Sequence, residues 1–143
     1  MPDKPVAVID TQALLDWLVF GDPGAARWSA AVTAGELRWH ACPRMRQELQ
    51  HMLGHPTLQR WHPDSERALS TFDRHAELSA EPPGCLLRCR DADDQVFIDL
   101  ALASGARWLI TRDKALLALA RRARVSGTHI VRPADWAPET PAP

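Results

Sequence analysis

Asp10 stands directly after the apolar run Pro5-Val6-Ala7-Val8-Ile9, and Asp113 lies two residues past Trp108-Leu109-Ile110-Thr111. Asp94 closes the acidic string Asp91-Ala92-Asp93-Asp94. Each side chain could bind a cation or move a proton. Each also has an ordinary reading as a helix N-cap, which contributes about 1 kcal/mol. At Asp10 the cap does not require the aspartate, because Thr11 could serve. In the acidic string Asp91 or Asp93 can cap, which leaves Asp94 spare. Glu48 taken alone is a surface helix residue, and it gains meaning only from the other three. Asp99 follows Asp94 by five residues, about 140° round a helix. It reads as a polar-edge residue rather than a partner of Asp94.

Carboxylates gathered on one rim repel each other, and desolvation without compensation raises their pKa values. A divalent cation reverses that cost. An oxygen-only donor set without His or Cys suits Mg²⁺ or Mn²⁺ better than zinc. Mg²⁺ takes few carboxylates directly and retains several waters. Such a centre acidifies water, aligns it with a phosphodiester and neutralises charge on the leaving oxygen. No covalent nucleophile is needed, and the chain carries no Gly-x-Ser-x-Gly elbow, Walker loop or dinucleotide loop. His51 and His55 have the spacing of a helical zinc pair, but Gly54 and Pro56 end the helix first.

The elements that must position these acids alternate. Short apolar runs predict strands over 5–9, 37–42, 84–89, 108–111 and 128–131. Helical periodicity predicts helices from Thr11 to the Gly21-Asp22-Pro23-Gly24 break, then over 25–34, 43–53, 63–78, 93–104 and 113–122. Such alternation implies an α/β fold with a parallel sheet covered on both faces. In open sheets of this class the ligand site lies at the carboxyl ends of the strands. Asp10, Asp94 and Asp113 all fall there.

The chain has 143 residues, 45% hydrophobic and 24% charged, enough for one domain with a real core. That domain is expected over 1–132, with a flexible proline-rich tail over 133–143. A net charge of -1 excludes a sequence-blind nucleic-acid coat. Six cations against the single acid Asp113 between Arg107 and Arg124 nevertheless suggest a basic apron. Cys85 and Cys89 on a strand would stand about 13 Å apart, too far for a disulfide. No signal peptide or apolar span of membrane length is evident, so a cytoplasmic, membrane-free protein is expected. Most of the six tryptophans are expected in the core, although some could form a dimer or partner surface.

Four stretches together resemble the PIN-domain family. Val-Ile-Asp-Thr-Gln-Ala-Leu-Leu (8–15) is similar to its opening strand and Asp-Thr-Asn-x-Leu motif, and Arg-Gln-Glu-Leu (46–49) to its helical glutamate motif. The segments 90–103 and 105–117 resemble its two distal motifs, in the branch of toxin components of toxin–antitoxin systems. The likeness spans roughly residues 6 to 132. It implies a three-layer α/β/α sandwich with a central parallel sheet. It also implies a metal-dependent ribonuclease holding Mg²⁺ or Mn²⁺ on Asp10, Glu48, Asp94 and Asp113, with Thr11, Gln12 and Thr111 supporting. Counting back seven residues from Ala101 selects Asp94 over Asp93. The resemblance further implies an RNA substrate, an antitoxin partner and a homodimer. Gln12 departs from the usual Asn.

Two other classes are open to the same acids. A receiver-like phosphoacceptor needs paired acids after its first strand, and Asp10 has no acidic neighbour; Lys114 directly follows Asp113, which is the wrong context for its lysine. A non-catalytic binding module would not need all four acids. On the nuclease reading, Asp10→Asn should abolish cleavage and leave the melting temperature nearly unchanged.

Overall fold

The computed structural model describes residues 4–138. Its centre is a five-stranded, wholly parallel sheet in the order β3-β2-β1-β4-β5. The strands are β1 (Val6–Ile9), β2 (Arg38–Ala41), β3 (Ala76–Leu78), β4 (Trp108–Ile110) and β5 (His129–Val131). β1 is the middle strand and β4 its neighbour, so both are covered on each face. Their unbroken apolar sequences reflect that burial, with Ala7, Val8, Ile9, Leu109 and Ile110 all at 1% exposure or less.

The chain winds outward from β1 in both directions. It passes first through α1 (Thr11–Leu18), α2 (Ala26–Thr33), β2, α3 (Pro43–Leu53) and α4 (Ser65–His75) to the β3 edge. It then returns through α5 (Gln95–Ala103) to β4, and through α6 (Lys114–Leu117) and α7 (Ala120–Val125) to β5. Right-handed crossovers place α1–α4 on one face and α5–α7 on the other, which makes three layers. α5 packs on β1 and β4, while α3 packs on both α1 and α4. Between the sheet and the first layer, Trp17 meets Trp28 and Trp39 edge-on at 5.7 and 5.8 Å, and Trp39 meets Phe72 at 5.0 Å. Trp28, Trp39 and Trp108 are fully buried and Trp61 is half exposed, so the tryptophans serve mainly as core.

Three predicted elements differ. The 63–78 helix stops at His75, and Ala76-Glu77-Leu78 instead pairs with Trp39-His40-Ala41 as the edge strand. Arg38 clamps Glu77 there through both nitrogens of its fork, at 3.0 and 2.8 Å. The predicted strand over 84–89 is not a strand. Cys85, Leu87 and Cys89 point inward and Leu86 and Arg88 outward, so the period of two is present without a ladder. The loop's backbone bonds to side chains instead: Gln95 Oε1 accepts from the Cys89 amide at 2.7 Å, and Asp99 Oδ1 from the Cys85 amide at 3.0 Å. Asp99 is consequently buried at 8% exposure and is not a polar-edge residue. The expected single helix over 113–122 is two short ones, α6 and α7, with buried Leu119 between them.

The start of the expected flexible tail is docked. Pro133–Asp135 form a 3₁₀ turn, and Trp136 is 4% exposed with its ring 5.3 Å from that of Trp108. Residues 139–143 lie outside the described residues. No helix among the described residues is long and apolar enough to cross a membrane.

Candidate active site

The strand order reverses direction between β1 and β4, and the crevice beyond their carboxyl ends is where doubly wound sheets bind ligands. Asp10 follows β1 directly, and its amide extends the sheet by donating to Ile110 O at 3.1 Å. Its Oδ1 accepts from the Ala13 amide at 2.9 Å, so Asp10 and not Thr11 caps α1. Its Oδ2 accepts a short hydrogen bond from the Thr111 hydroxyl at the end of β4. The same hydroxyl accepts from the Asp113 amide at 2.9 Å. One buried threonine therefore ties the first and last acids together across the switch point.

Asp113 caps α6 through the Leu116 amide at 3.2 Å. Asp94 opens α5 without a capping bond, because Asp91 caps the preceding 3₁₀ turn through the Asp93 amide. Asp93 is exposed while Asp94 is half-buried. Glu48 enters from α3, half-buried between the core residues Met45 and Leu49. Asp10, Glu48, Asp94 and Asp113 line one pocket of about 120 Å³ together with Thr11, Gln12, Met52 and Phe97. Four remote stretches thus deliver four carboxylates to one small cavity, and Asp94 rather than Asp93 is the acid that enters it.

The electrostatics follow from that crowding. Burial pushes the Asp10 carboxyl up to about 6; the Thr111 hydroxyl, the Ala13 amide and Arg112 oppose this, and Asp113 adds to it. Asp94 is pushed up to about 7, first by burial, then by sharing a hydrogen bond with the Asp113 carboxyl, then by the charges of Asp113, Asp91 and Asp10. Glu48 is raised by burial and by Asp93 and Asp91, and eased by the Thr11 hydroxyl and Arg44. The Thr11 contact is too loose to be a full hydrogen bond, and the buried Thr11 hydroxyl has no other partner among the described residues. The pocket is short of positive charge.

No His or Cys lines it, so the donor set is the hard-oxygen one that Mg²⁺ and Mn²⁺ prefer. Among the described residues no three His, Cys, Asp or Glu side chains are disposed to ligate a single ion directly. The residues present therefore fit a cation held by one or two carboxylates and reached by the others through water, the usual habit of Mg²⁺. A larger, mostly apolar cleft of about 440 Å³ at the opposite end of the sheet has only Arg27 and Glu36 as charged lining.

Residues 6–115 match the model of the PIN domain. The chain belongs to the PIN-domain family. Its fold is similar to that of VapBC2 from Rickettsia felis, solved bound to a DNA fragment from its promoter. The TM-score is 0.58 at 12% identity over 89% of this chain and 98% of that one. It is also similar to PAE2754 from Pyrobaculum aerophilum, with a TM-score of 0.55 at 21% identity over 89% and 83%. No curated protein matches the chain.

Several residues around this PIN-domain pocket escaped the sequence reading. Gln95 accepts from Cys89 and donates to Leu87 O at 2.8 Å and Asp99 Oδ1 at 2.9 Å, which anchors the loop leading into Asp94. Asp16 is buried on α1 and paired with Arg112. The available signal was an acid on an apolar helix face, Leu14-Leu15-Asp16-Trp17, which burial alone would forbid without a partner. The expected basic apron is divided. Arg112 stands at the pocket, whereas Arg107 sits at the far end of β4 over the Trp108 ring at 5.1 Å.

Proposed function

We propose that this PIN-domain protein is a divalent-cation-dependent endoribonuclease, and the toxin component of a toxin–antitoxin pair. The observation that carries the reading is the convergence of four carboxylates on one pocket at the β1/β4 switch point. A bound Mg²⁺ or Mn²⁺ would supply the missing positive charge and acidify water for attack on a phosphodiester.

The chain's own residues do the positioning. Asp10 and Asp113 are the rigid pair, because the buried Thr111 hydroxyl bonds to both. Asp94 and Glu48 close the pocket from α5 and α3 and would hold cation or water. Where carboxyls rest near pH 6 to 7, as Asp10 and Asp94 do, cation binding displaces protons and activity rises with pH across that range. Gln12 keeps an amide at the rim, where its Oε1 accepts from Arg112 Nη2 at 3.4 Å.

An antitoxin partner is supported by the fold's likeness to the Rickettsia felis VapBC2 protein, and a homodimer in the cytoplasm completes the proposal. The test is single-stranded RNA incubated with the purified chain in Mn²⁺, Mg²⁺ or chelator. Cleavage should need the metal and fall at least about 100-fold in Asp94→Asn and Glu48→Gln, as when a transition-state electrostatic contact is removed. Wild-type cleavage that survives chelation, or that both variants retain, would sink the nuclease reading. Labelling of Asp10 by acetyl phosphate would favour the receiver-like alternative instead.

A further inference from the structure

Arg112 lies between Thr111 and Asp113 in the turn from β4 to α6, and its side chain is 51% exposed. Its guanidinium is nevertheless pinned along one edge. Nε reaches Asp16 Oδ2 at 2.9 Å, and Nη2 donates to Asp16 Oδ1 at 3.0 Å. Nη2 also donates to Oε1 of Gln12 at 3.4 Å, and Gln12 lines the acid pocket. Asp16 is only 3% exposed, so it needs a partner, and the pinned edge supplies opposite charge and two contacts, although burial still holds the carboxyl above its ordinary value.

Neutralising Asp16 does not account for the rest of the group. Nη1 has no protein partner among the described residues, and its two N–H bonds are left for solvent. A guanidinium held by its far edge has already lost its rotamer freedom, so it binds a second anion with little further ordering. Its charge is felt inside the pocket, where it favours the ionised form of Asp10. Arg44, on the Glu48 side, is far looser: it is 61% exposed and reaches Glu81 at 3.5 Å. A rim of carboxylates repels a polyanion everywhere except at a fixed cation. The group that fits a free N–H edge there is the non-bridging oxygen of a phosphate.

We infer that Arg112 is a substrate-binding residue, whose Nη1 edge receives a backbone phosphate of the RNA strand beside the acid pocket. The inference rests on the nuclease reading. Asp16 is then a positioning residue, which aims the guanidinium.

The test is binding of labelled single-stranded RNA in Ca²⁺, measured over a range of salt. For a single strand each phosphate neutralised contributes about 0.7 to the slope of log affinity against log salt. Arg112→Ala should weaken binding at low salt and lower that slope by about 0.7, while the surface control Arg124→Ala keeps it. Because Arg112→Ala strands a buried carboxylate, the double variant Asp16→Asn/Arg112→Ala removes both charges and protects the fold. It should show the same loss of slope, and Asp16→Asn alone, whose amide oxygen can still accept from Arg112, should retain it. A wild-type slope in the double variant would overturn the inference, since Arg112 would then only neutralise Asp16. Wild-type protein that neither binds nor cleaves RNA would instead overturn the nuclease reading beneath it.

Discussion

Replacing Asp10 by Asn should stabilise the metal-free protein at alkaline pH. Burial raises the Asp10 carboxyl from 3.8 to about 6. A raised folded-state pKa means that the native protein binds the proton more tightly than the unfolded chain. The stability this contributes is complete below 3.8 and is lost as pH rises through 6. At pH 8 the ionised carboxylate therefore costs about 3 kcal/mol, at 1.36 kcal/mol per pKa unit. Asn keeps the oxygen that caps Ala13 but puts an NH₂ where Oδ2 accepts from Thr111, a loss of about 1 kcal/mol. The net gain of about 2 kcal/mol corresponds to roughly 6 °C in Tm for a chain of this size. Melting curves of both proteins in chelator, from pH 8 to pH 4, provide the assay. Asp10→Asn should melt higher at pH 8, and the difference should shrink and reverse by pH 4. Saturating Mn²⁺ should cancel the advantage at pH 8, because a ligand at 100 times its Kd adds about 2.7 kcal/mol to the protein that binds it. If Asp10→Asn in chelator melts at or below the wild-type temperature at pH 8, the argument from burial fails.

Thr111→Val removes the hydroxyl bonded to both Asp10 and the Asp113 amide and should cost about 2 kcal/mol, read from the denaturation midpoint. An unchanged midpoint would show that the bridge carries no energy. Gln95→Ala removes two bonds that hold the 85–89 loop, to the Cys89 amide and to Leu87 O. The Cys89 amide should then exchange its hydrogen much faster, while the β1 amides remain protected. Trp136→Ala should cost about 3–5 kcal/mol, because its ring is buried against Trp108. A loss under about 1 kcal/mol would mark the turn over Pro133–Asp135 as dispensable, in the range of ordinary surface substitutions.

Read from the sequence, Asp10→Asn leaves the melting temperature nearly unchanged. The structure leads to a different expectation, because Asp10 lies between β1 and β4 at 4% exposure. The 84–89 segment misleads for a related reason. Alternating burial is common to strands and to extended loops, and only the destination of the backbone hydrogen bonds separates them. Here those bonds end on Gln95 and Asp99, side chains that lie outside the segment. The true edge strand, Ala76–Leu78, has two exposed residues of three and leaves no hydrophobic run to read.

The sequence by itself determined the parallel α/β class, the buried middle strands and the placement of Asp10 and Asp113 just past strand ends. These depend on local periodicity and on helix and turn chemistry, which are written in consecutive residues. Glu48 and the choice of Asp94 over Asp93 came from family resemblance and not from local pattern; only the tertiary structure brings both to the pocket and shows that Thr111 bonds to both outer acids. Those outcomes depend on which helix face meets which strand end, a matter of packing between segments dozens of residues apart. The same packing withdraws Asp10 from water, and so converts an ordinary helix cap into a charge that the fold alone cannot neutralise.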